Sequence, residues 1–67
     1  MTEREAHSIE RPADWLKAKG ISYNVRRAYH SSDYVAEHDI RMGFGQTKPE
    51  ALRALIYELT KHGVIIC

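Results

Sequence analysis

Three stretches of this 67-residue chain bring together residue types that can do chemistry. His30-Ser31-Ser32-Asp33 holds a hydroxyl, an imidazole and a carboxylate, the groups of a hydrolytic triad. A triad needs its members converging from separate elements, whereas Ser and Asp side by side are ordinary turn formers. The four histidines, His7, His30, His38 and His62, contain no close pair at helical spacing, and Cys67 is the only cysteine. That pattern is not the ligand spacing of zinc. His38 falls opposite Val25 in the ribbon expected below, and is read as a partly covered histidine rather than a pH-sensitive contact. Gly43-Phe44-Gly45-Gln46-Thr47-Lys48 is a glycine-containing stretch leading to a helix start, where amides can hold phosphate. It has neither P-loop spacing nor a dinucleotide fingerprint, and the two glycines are read as a strand leaving for a tight turn. No catalytic residue, metal ligand or cofactor site is assigned, and the chain is not expected to be an enzyme.

Binding is the chemistry left. Arg53, Tyr57 and Lys61 follow one another at i, i+4 and i+8 on a helical stretch. An exposed aromatic framed by cations suits a protein interface, where Tyr and Arg dominate the energetics. The bland counterpart is a solvated helix face with one stray tyrosine. Nucleic-acid binding is the alternative, through Lys17, Arg26, Lys48 and Arg53. Ten Lys and Arg against nine Asp and Glu leave a net charge of +1, too balanced to imply that partner by composition.

The elements that would position these residues can be read in order. Residues 1–11 carry no clear periodicity and are expected to be a flexible arm, ahead of a single domain over 12–67. Pro12 suits a first helical turn, and Gly20 a left-handed C-terminal cap, so a short helix is expected between them. From Ile21 to Tyr29 the period becomes two, and after the turn at 30–33 it resumes from Tyr34 to about Phe44. Folded as a hairpin, the two runs set Tyr29 against Tyr34, Tyr23 against Ile40 and Ile21 against Met42 on one face. Arg26 then meets Glu37 on the other. Thr47-Lys48-Pro49-Glu50 is a capping box opening a long helix whose Leu52, Leu55, Ile56 and Leu59 form one apolar stripe. Lys61, His62 and Gly63 close it, and Val64-Ile65-Ile66-Cys67 reads as a short terminal strand.

Two resemblances follow from these residues. Gly43 and Phe44 before Thr47, Glu50, Ala51 and Leu52 resemble the helix start in the N-terminal domain of HicB-type antitoxins, over about residues 21–62. That resemblance implies a partner-binding module, acting as an inhibitor or antitoxin-like factor. Gly43, Gly45, Thr47 and Lys48 are also similar to the Gly-x-Gly-x-(Ser/Thr)-Lys helix start of double-stranded-RNA-binding domains. There a helix precedes the strands, a third strand ordinarily precedes the second helix, and lysines at that helix start hold phosphates.

The sequence thus predicts an α+β fold: a short helix, an antiparallel hairpin, a long helix packed on one sheet face and a short C-terminal strand. Its expected role is non-catalytic binding of a partner protein, with homodimerisation through the tail or the free sheet face a further expectation. The single cysteine and the lack of a leader or an apolar span of about 20 residues point to a cytoplasmic protein.

Overall fold

The computed structural model describes residues 2–29 and 33–65. Its elements are α1 (Glu3–His7), α2 (Pro12–Ala18), β1 (Asn24–Arg27), β2 (Tyr34–His38), β3 (Arg41–Gly45) and α3 (Lys48–Lys61). The three strands form one antiparallel sheet in the order β1-β2-β3. The long helix α3 crosses one face of it, and α1 and α2 pack against α3. This is the expected α+β class, with one strand more than the hairpin predicted.

The helices begin and end where local chemistry requires. Pro12 opens α2 where an amide hydrogen would find no partner. Gly20, at φ +72°, ends it, and the Ile21 amide turns back to the Leu16 carbonyl. At α3 the Thr47 hydroxyl accepts from the Glu50 amide at 3.3 Å. The Glu50 carboxylate takes the Gln46 amide rather than that of Thr47, so half of the expected capping box forms. Leu55, Ile56 and Leu59 are fully buried, with Leu52 nearly so, and they join Leu16, Ala36, Ala51 and Ile65 in one core.

Residues 3–7, for which no element was expected, form α1. Thr2 and Glu5 make a reciprocal capping box at 3.2 Å, and Ala6 is buried. The hydrogen bonds from the Thr2 backbone and hydroxyl hold the Glu5 carboxyl below its ordinary pKa. They favour the charged form, so this cap acts at neutral pH and is lost as pH falls through the lowered value.

The second expected strand is not continuous. Asp39 and Ile40 form a two-residue turn between β2 and β3, with Asp39 at φ +55°. Aspartate tolerates that left-handed conformation better than most residues. In the first ribbon Arg26 opposes Val35 and Val25 opposes Ala36, a register two residues from the expected one. An even shift preserves the faces, and Arg26 still reaches Glu37 diagonally, Nε to Oε1 at 2.6 Å. Across the turn the faces exchange parity, because His38 pairs with Arg41 and Ala36 with Gly43. Gly43 and Gly45 therefore face α3, while Met42 and Phe44 face away from it. Met42, expected to share a face with Tyr29, Tyr34, Tyr23 and Ile40, thus lies on the side of the sheet opposite Tyr34 and the leucine stripe.

The glycines lie inside β3 rather than in a turn, and close approach explains them. A Cβ on Gly43 would overlap the Leu55 amide nitrogen and lie 2.7 Å from the Ala54 carbonyl carbon. One on Gly45 would come within 2.5 Å of the Ala51 nitrogen. Helix and strand touch backbone to backbone there. Val64 and Ile65 do not form the predicted terminal strand: their amides bond to the Leu59 carbonyl, the Val64 bond at 2.8 Å, and Ile65 folds into the core. Ile66 and Cys67 lie outside the described residues.

Candidate protein-interaction surface

The sheet face turned away from α3 carries Arg26 on β1, Val35 and Glu37 on β2, and Met42 and Phe44 on β3. No helix covers it. Phe44 is 59% exposed, Met42 45%, and Ile40 in the adjoining turn 78%. Val35 lies beneath them at 1%, between Arg26 and Phe44 in the ladder. The ionic corner is self-neutral, since Arg26 and Glu37 hold each other. Three large apolar side chains beside a closed ion pair make a surface suited to excluding water against another apolar surface.

The helix-face residues singled out in the sequence are placed differently. Arg53 is half-buried; its Nε donates to the Ile9 carbonyl at 2.6 Å and its Nη2 to that of Glu10 at 3.5 Å. It ties the α1–α2 connection to α3 rather than standing free. Tyr57 is half-buried, and Lys61 is exposed with its Nζ 5.9 Å from the Tyr57 ring centre. Only the Tyr57–Lys61 end of the expected stripe is brought together on accessible surface.

The cations of the nucleic-acid alternative do not converge. Lys48 lies at the start of α3 with its Nζ 5.9 Å from the Tyr34 ring, and shares a cleft of about 530 Å³ with Tyr23, Val25 and Pro12. Lys17 is exposed on α2. Arg26 is on the opposite face of the sheet, paired with Glu37, and Arg53 is engaged with backbone carbonyls.

His38 does not oppose Val25. Its cross-strand partner is Arg41, and its Nδ1 hydrogen-bonds the Ser22 carbonyl, pinning the segment that leads into β1. His30, Ser31 and Ser32 lie outside the described residues. Among the described residues no group of three His, Cys, Asp or Glu is placed to hold a metal, and no helix is long and apolar enough to cross a membrane. No protein-family model, curated protein or solved structure matches the chain.

Sequence reasoning missed Met42, Phe44 and Ile40 as surface residues. The signal was Asp39, a residue type that tolerates positive φ, at the middle of a run too long for one strand of a small sheet.

Proposed function

We propose that the chain is a small non-catalytic interaction domain that binds a partner protein through the open face of its sheet. One observation carries this: Phe44 and Met42 stand exposed on a strand whose opposite side is bare glycine against α3. The strand directs its bulk outward, and an aromatic with an adaptable thioether is a common interface pairing. Tyr57 and Lys61, on the flank of α3, extend the contact region at most to its edge. The antitoxin-like or inhibitory role implied by the HicB resemblance belongs to this reading as its biological form.

The test is co-purification from native cell extract with the wild-type chain and with Phe44→Thr, which keeps strand propensity while removing the ring. Loss of the bound protein in the variant, with an unchanged circular dichroism spectrum, is the expected result. Equal capture by both would remove the open face as the site.

A second reading has one observation in its favour. The order α2–β1–β2–β3–α3 supplies the third strand that double-stranded-RNA-binding domains carry before the second helix. Lys48 and Lys17 would then be the phosphate contacts, with affinity that falls steeply as salt rises. Absence of any gel shift with duplex RNA at low salt disposes of it.

A further inference from the structure

The two edges of the sheet are not alike. Antiparallel ladders alternate bonded and outward-facing residues. The Ala28 amide donates to the Asp33 carbonyl at 2.8 Å, which fixes the alternation in the first ribbon: 33, 35 and 37 turn toward β1. Residues 34, 36 and 38 then turn toward β3, where they meet Gly45, Gly43 and Arg41. Met42 and Phe44 are left with their amides and carbonyls pointing out of the free edge of β3, and among the described residues no loop or side-chain hydrogen bond involves them. On the other edge, the outward-facing pair is Val25 and Arg27, next to Arg26. Charged side chains of that kind guard edge strands against pairing. The β3 edge has Met42 and Phe44 at those outward positions, and its one charged residue is Arg41 at the start of the strand.

We propose that β3 accepts an extended segment of the partner protein as a fourth strand, with apolar and basic residues in alternation. The inference rests on the protein-binding reading and specifies its mode. Residues set opposite Met42 and Phe44 would share their face and extend the apolar surface. The residue opposite Gly43 would point the other way, into a groove of about 320 Å³ between α3 and α1. Ala54, Tyr57 and Glu58 form one wall of it, and Glu3 and His7 the other. Glu3 and Glu58 place two carboxylates on the rim, with His7 Nε2 3.7 Å from the first and His62 Nε2 3.3 Å from the second. The nearby cation, Lys61, is drawn to the Tyr57 ring. The lining holds these two carboxylates and, among the described residues, no lysine or arginine, so the groove favours a lysine or arginine from the incoming strand.

Antiparallel pairing with β3 of a second copy is blocked. Paired strands lie about 4.8 Å apart, while packed helices need about 8–10 Å. Because α3 sits directly over β3, two such copies would drive their helices into each other. A bare segment meets no such obstacle.

The experiment uses the full chain and two capped heptapeptides, one alternating valine with lysine and one alternating valine with glutamate. Amide exchange is followed by NMR. The lysine peptide is expected to slow exchange at Met42 and Phe44 by at least about tenfold, to leave Val25 and Arg27 unchanged, and to bind more tightly than the glutamate peptide. Glu58→Lys, a substitution on the groove's half-buried rim, is expected to reverse that preference. Binding that perturbs the Phe44 side chain without protecting those two amides would overturn strand addition while leaving the open-face reading intact. Lack of binding by either peptide at millimolar concentration would overturn it as well. So would concentration-dependent protection of the same amides without peptide, which would assign the edge to a second copy.

Discussion

The covered and open faces of this sheet divide their residues against the usual rule. Where α3 lies closest, the sheet presents Ala36, Gly43 and Gly45, with Tyr34 and Val25 flanking them on the same face; away from it β2 and β3 present Val35, Met42 and Phe44. A half-buried antiparallel sheet ordinarily places its large apolar residues inside. Here the inside is small because α3 lies in backbone contact with β3, and its own leucines fill the core. The bulk displaced from the interior appears on the exterior. The two faces therefore differ in kind: one seats a helix, and the other leaves Met42 and Phe44 to solvent.

Substitutions can break that division. Gly43→Ala puts a methyl group into the α3 backbone and is expected to cost about 3 kcal/mol or more, a large part of the roughly 3–10 kcal/mol expected of a chain this size. A urea midpoint close to wild type would show that α3 can retreat from the sheet. Next in size is Ala36→Val on the same face, where the side chain is fully buried. Overpacking should cost about 1–3 kcal/mol, read by the same titration. On the open face Phe44→Thr loses only its cross-strand partnership with Val35, worth about 0.5–1 kcal/mol. A larger loss would mean that Phe44 belongs to the core. Smallest is Ile40→Ser in the exposed turn, expected within about 0.5 kcal/mol of wild type, with its effect confined to partner binding.

Much of the covered face was legible in sequence, and little of the open one. Leu52, Leu55, Ile56 and Leu59 declared themselves by helical spacing, and Thr47, Pro12 and Gly20 marked helix ends by chemistry that acts within three or four residues. The turn at Asp39 and Ile40 escaped because it has an even length. Apolar residues at 34, 36, 40, 42 and 44 keep one numerical parity straight through it, while the reversal of the chain exchanges the faces. Helix α1 is too short to show periodicity, although Thr2 and Glu5 stand at the same Thr-x-x-Glu spacing as Thr47 and Glu50. Arg53 looked free because its acceptors, Ile9 and Glu10, are distant in the chain and reach it only through the packing of the N-terminal segment on α3.

The turn at Asp39 and Ile40 makes the outward chemistry of this domain depend on loop length as much as on composition. Adding one residue there would rotate β3 by half its repeat, driving Met42 and Phe44 against a helix that leaves no room for a methyl group, and displaying glycine outside. A single codon inserted between His38 and Arg41 would thus unseat the helix and remove the outward bulk of β3 without altering any residue that forms either.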